Sequence, residues 1–101
     1  MEKNQKLALE RLIQIAKRDT GQCRRVANFL LSWWNAEVCG TWNITDVWSL
    51  DRQITQDILT VLGFLAQRCV YPDRMGYGDD FQEIFKQWRP KLFKELTEAN
   101  A

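Results

Sequence analysis

The chain has few side chains suited to catalysis. It contains no His, so neither a Ser-His nor a Cys-His nucleophile pair can be assembled within it, and the usual near-neutral general base is missing. Three cysteines remain, Cys23, Cys39 and Cys69. They are an odd number with no C-x-x-C spacing, which argues against zinc and for free thiols in a reduced, cytoplasmic setting. Cys23 has a physical argument for reactivity: it falls in the first turn of an expected helix beside Arg24 and Arg25, and both features lower a thiol pKa. The commoner reading is a small, unreactive, buried side chain, which also suits Cys39 and Cys69 at helix ends. Asp79 and Asp80 could suggest a metal, but adjacent carboxylates at a helix start are explained by capping and the helix dipole. No catalytic, metal or cofactor site is expected.

Two basic segments could bind instead of react. Arg24 and Arg25 lie at the positive end of a helix dipole, where each costs about 0.3–1 kcal/mol if unpaired. An acid such as Asp19, or one from another helix, can hold them; otherwise they form a patch for a partner. Lys86, Arg89, Lys91 and Lys94, interleaved with Trp88 and Phe93, resemble the basic-plus-aromatic mixture that binds single strands. Trp88 and Phe93 also fit a buried stripe, which would leave the lysines as an ordinary solvated face. Seven basic and five acidic residues in the first fifty, against seven and eight in the rest, make neither half a polyelectrolyte.

The elements that must position these groups are helical. Arg24 to Gly40, reading RRVANFLLSWWNAEVCG, carries one charge between Val26 and Val38, and its bulky groups fall on two adjacent helical rows. This second helix is expected from about Thr20 to Glu37, capped by Asp19 or Thr20 with Gln22 in a capping box. Before it, residues 3–18 form an amphipathic helix through Leu9, Leu12, Ile13 and Ala16. Val47, Leu50, Ile54, Ile58, Val61 and Leu65 keep helical spacing in a third helix, expected to be the most buried, with Gly63 admitting a close neighbour. Cys69 to Asp79, with Pro72, Gly76 and Gly78, turns the chain. Asp79 caps a fourth helix bearing Phe81, Ile84, Phe85 and Trp88. Pro90 interrupts, and Leu92, Phe93 and Leu96 continue in a short turn.

The expectation is an all-α fold: one domain over residues 1–101, a compact bundle of four main helices plus a short C-terminal helical turn. Its ends fray at about 1–4 and 97–101, and the second and third helices pack together at the centre. The longest nearly apolar run, residues 58–66, is too short to span a membrane, and the N-terminus has no unbroken apolar stretch of an export signal.

DTGQCRRVANFLLSWWNAEVCG (Asp19 to Gly40), with Asp46-Val47-Trp48, Tyr71-Pro72, Gly76-Tyr77 and Trp88-Arg89-Pro90, resembles a family of small bacterial proteins of unknown function. The resemblance covers roughly Leu7 to Lys91. Such proteins are often encoded on plasmids and other mobile elements, and relatives tend to carry Ser where this chain has Cys23. The resemblance implies a bacterial cytoplasm and an accessory role for mobile DNA, and brings no activity, cofactor or site residues.

Five Trp, the loop aromatics and the lack of catalytic groups favour a non-enzymatic protein–protein interaction module. Nucleic-acid binding through Arg24/Arg25 or Lys86–Lys94 is the alternative, and an enzyme comes third. The expected partner surface joins Arg24 and Arg25 to one or more of Trp42, Tyr71 and Tyr77, aromatics placed in loops near glycines.

Overall fold

The computed structural model describes residues 1–99. Five α-helices follow one another: α1 (Lys3–Ala16), α2 (Gly21–Cys39), α3 (Arg52–Leu65), α4 (Gly78–Trp88) and α5 (Pro90–Ala99). Two 3₁₀ helices, Ile44–Ser49 and Pro72–Met75, fill the longer connections, and no strand occurs among the described residues. The all-α expectation holds. The last element, expected as a short turn, is a ten-residue helix, because Pro90 starts it where no backbone donor is needed. Residues 97–99, expected to fray, form its end; 100 and 101 lie outside the described residues. At the other end α1 already begins at Lys3, since Glu2 and Gln5 bond reciprocally in a capping box.

The centre differs from expectation. α1 packs against both α3 and α2, and α2 packs in turn on α4, so α1 stands where the second and third helices were expected to meet. Ala8 and Ala16 flank Leu9, Leu12 and Ile13 on α1, all five buried, and this wide face with small residues at its margins admits two neighbours. α3 has a single buried stripe of Ile54, Asp57, Ile58, Val61 and Phe64. Its apolar second half is not buried all round, for Leu59 is 61% exposed and a Cβ at Gly63 would meet open space.

Asp57, inside that stripe, is paired with Arg11. The guanidinium donates from Nε at 2.9 Å and Nη2 at 2.8 Å to the two carboxylate oxygens, a bidentate pair that fixes α3 on α1. Lys17 ties α1 to α4 through Asp80 at 2.6 Å and Glu83 at 2.9 Å, and these bonds raise its pKa above the ordinary 10.5. Asp80 is thus an ion-pair partner of Lys17, and Tyr77 rather than Asp79 occupies the cap position of α4.

α2 starts as its sequence suggests, with the Thr20 hydroxyl accepting from Cys23 N, but Gln22 makes no capping box. Near its far end Asn35 leaves helical geometry (φ −161°, ψ 83°) and its side chain accepts from Val38 N, restarting a last turn to Cys39. Gly40 then exits at φ 96°, a conformation that side-chain-bearing residues rarely adopt.

Candidate partner-binding surface

The segment after Gly40 is strapped across the start of α2. At its near end Trp42 packs edge-on against Phe29, ring centres 5.0 Å apart. At its far end Asp51 N donates to Gln22 Oε1 at 2.6 Å, and Gln22 Nε2 donates to Asp51 Oδ2 at 3.2 Å. Between these fastenings Asn43 caps the Ile44–Ser49 helix, its Oδ1 accepting from Thr45 N at 3.2 Å and from the Thr45 hydroxyl at 2.8 Å. Asp46 reaches toward Arg25, with 3.9 Å from Oδ1 to Nε.

So held, this short helix turns two large apolar side chains to solvent. Trp48 is 83% exposed and Ile44 is 70% exposed. Scattered apolar residues are ordinary on a surface, but a nearly bare indole on a fastened element is a contact feature. Next to them lies a depression of 370 Å³ lined by Gly21, Arg24, Arg25, Asn28, Asn43 and Asp46.

The expected surface joined Arg24 and Arg25 to one or more of Trp42, Tyr71 and Tyr77, and the structure places these residues as follows. Arg24 and Arg25 line the depression, Arg24 exposed and Arg25 facing Asp46. Trp42 directly precedes Asn43 of that lining but acts as a wedge: it packs against Phe29 and the core, and its indole N–H is buried with no hydrogen-bond partner among the described residues. Tyr71, 60% exposed, stands elsewhere, by a 280 Å³ hollow lined by Trp33, Leu65, Arg68, Cys69 and Val70. Trp33 is nine residues beyond Arg24 on α2, roughly 13 Å along the helix axis. Tyr77 packs against the core, and its hydroxyl donates to Glu10 Oε2 at 3.5 Å; burial first, then Glu10, pushes its pKa up.

In the Lys86–Lys94 segment Trp88 and Arg89 are tied into the fold, while Lys86, Lys91 and Lys94 are exposed. Trp88 Nε1 donates to Ala16 O at 2.6 Å, closing the end of α1. Arg89 donates to Cys39 O at 3.0 Å, Asn28 Oδ1 at 2.8 Å and Trp88 O at 3.0 Å, closing the end of α2. Lys86 lies 5.6 Å from the centre of the Phe93 ring. Cys23 is buried, with the Thr20 hydroxyl donating to its sulfur at 2.9 Å. Cys39 is buried as well, and burial pushes its thiol pKa up against the opposing charge of Arg89. Cys69 is exposed.

Trp48 is not among the residues expected at the partner surface, because Val47 and Leu50 on either side fit the stripe of the next helix. The signal for it in the sequence is that Trp48 itself falls off that stripe, between Asn43, which caps the short helix, and Asp51, which precedes α3.

A family model described as a family of unknown function, DUF7673, matches residues 6–89. The chain belongs to this family. The DUF7673 span includes Arg24, Arg25, Ile44 and Trp48 and ends before α5. No curated protein and no solved structure matches the chain.

Proposed function

We propose that this DUF7673 member is a non-enzymatic protein–protein interaction module, an accessory or host-modulating protein of a bacterial mobile element that works in the cytoplasm. It docks its partner on the Ile44–Ser49 helix. The observation that carries the reading is Trp48, 83% exposed on an element fastened to α2 at both ends. A fastened element presents its contact groups with little ordering entropy left to lose on binding. Covering one Trp of 150–250 Å² removes roughly 4 kcal/mol worth of apolar surface from water, enough for a hot spot. The nucleic-acid alternative has less support, since Trp88 and Arg89 of the second basic segment are held by backbone carbonyls.

The test is site-specific photo-crosslinking. A photoreactive phenylalanine analogue replacing Trp48 should give one discrete protein adduct in bacterial cells, while the same group replacing Leu59, exposed on α3, should not. Trp48→Ala should abolish capture and change stability by no more than about 0.5 kcal/mol. Equal labelling from both positions, or none from position 48, removes the proposed surface.

A further inference from the structure

We infer that the depression between the start of α2 and the Ile44–Ser49 helix is a carboxylate-binding site, and that the partner segment crossing Trp48 is acidic. The inference rests on the docking reading above and adds the chemistry of the partner. The depression is lined by groups whose free valences are donors. Asn28 Oδ1 already accepts from Arg89, which can only donate, so the amide NH₂ of Asn28 is left to face outward. Asn43 Oδ1 already accepts twice from Thr45, which leaves its NH₂ in the same state.

Arg25 lies back over the helix start, its Nη1 3.6 Å from where a Cβ on Gly21 would stand. Its contact with Asp46, at 3.9 Å, is too long for a hydrogen bond. Arg24 has no carboxylate within ion-pair distance among the described residues. Two guanidinium forks and two amides therefore face a single acid. One incoming carboxylate can bond an arginine fork through both oxygens and balance the remaining positive charge. An apolar residue of the same segment then covers Trp48, two residues on from Asp46 of the lining.

The test uses the full chain and a short fluorescein-labelled peptide of glutamate and leucine, its glutamine counterpart, and a labelled single-stranded oligonucleotide, all followed by fluorescence anisotropy. The glutamate peptide should bind at least about tenfold more tightly than the glutamine peptide. Arg24→Gln and Arg25→Gln should each erase that preference while leaving the weak glutamine-peptide binding in place, and Trp48→Ala should weaken both peptides. Thermal melting runs alongside; exposed Arg24 provides the decision should the half-buried Arg25 variant lose its fold. Equal affinity for the two peptides, with both lost in Trp48→Ala, overturns the carboxylate site and leaves the docking face standing. Tighter binding of the oligonucleotide than of the glutamate peptide, or no peptide binding from a protein that crosslinks at position 48, overturns it too.

Discussion

Arg89 lies outside every regular helix, between α4 and α5 with φ −133° and ψ 56°, yet its guanidinium closes the bundle. It donates to Cys39 O, one of the carbonyls that the end of α2 leaves without a helical partner, and to Asn28 Oδ1 about three turns earlier on the same helix. Arg89→Ala removes both bonds and the local one to Trp88 O. Hydrogen bonds from a charged donor are each worth about 1.5–3 kcal/mol, and the low end applies here because the released oxygens are near enough to the surface to take water. The local bond to the preceding residue adds little. The expected loss is thus about 2–3 kcal/mol, or roughly 10 °C in Tm for a domain of this size. Arg89→Lys keeps the charge but has no fork, so it can restore one of the two α2 contacts and should lose about half as much. Arg52→Ala, exposed and without a hydrogen bond among the described residues, is the control and should move stability by no more than about 0.5 kcal/mol. Circular-dichroism melts and urea titrations of the three variants decide the matter. A loss for Arg89→Ala no larger than that of Arg52→Ala, or Arg89→Lys melting like the parent, would refute the fork argument. If the argument holds, Arg89→Ala should also weaken acidic-peptide binding, because Asn28 is then free to turn its oxygen toward the depression.

Ile58→Asp should abolish the cooperative melt, since Ile58 is fully buried and gains no partner for the charge, whereas Leu59→Asp one residue on should fold; a parent-like melt for Ile58→Asp would place α3 outside the core. Trp33→Phe should cost about 1 kcal/mol more than Trp42→Phe in urea titrations, because Trp33 Nε1 donates to Val70 O at 3.0 Å while the Trp42 N–H has no partner to lose; equal losses would contradict that contrast. A water-soluble thiol reagent should label only Cys69 in the folded protein and all three cysteines in denaturant, and rapid labelling of Cys23 in the fold would show that it is not sealed. Lys17 and Tyr77 both hold protons more tightly when folded, so the stability each contributes is present below its ordinary value, 10.5 and 10.0, and is lost as pH rises through the raised folded value. Denaturant midpoints should therefore fall above about pH 10, less so in Lys17→Met and Tyr77→Phe; an identical alkaline fall in both variants assigns it elsewhere.

Helix positions were largely legible because periodic apolar residues and local caps decide them within one segment. Thr20 starts α2, Pro90 separates α4 from α5, and Leu9, Leu12 and Ile13 mark the buried face of α1. Which helices face each other was not legible. The run Ile58 to Ala66 is more apolar than anything in α1, and hydropathy alone makes it the centre. Burial depends instead on how many neighbours a face can accept, and the buried alanines of α1 admit two helices where α3, with Asp57 in its stripe, receives one. The break at Asn35 was hidden for a related reason: no Gly or Pro marks it, and only the capacity of an Asn side chain to bond Val38 N competes with the helix.

The candidate site turns on two tryptophans six residues apart, and composition cannot tell them apart. Trp42 comes directly before the capping Asn43, where the returning chain passes over Phe29, and it is drawn inward at the cost of a buried indole N–H. Trp48 falls inside a 3₁₀ turn, where successive side chains are about 120° apart. Val47 and Leu50, three apart, share one side, and Leu50 packs against the core. Trp48, one step on from Val47, is therefore rotated away from that side and into solvent. A loop Trp that could plug a hydrophobic gap or meet a partner is thus a wedge, while one within the span expected for the third helix is the exposed group. The distinction follows from where the two ends of the segment are fastened, and those fastenings, Phe29 and Gln22, lie on another helix. An indole left this bare contributes almost nothing to folding, so deleting it separates binding from stability more cleanly than any other substitution on this surface.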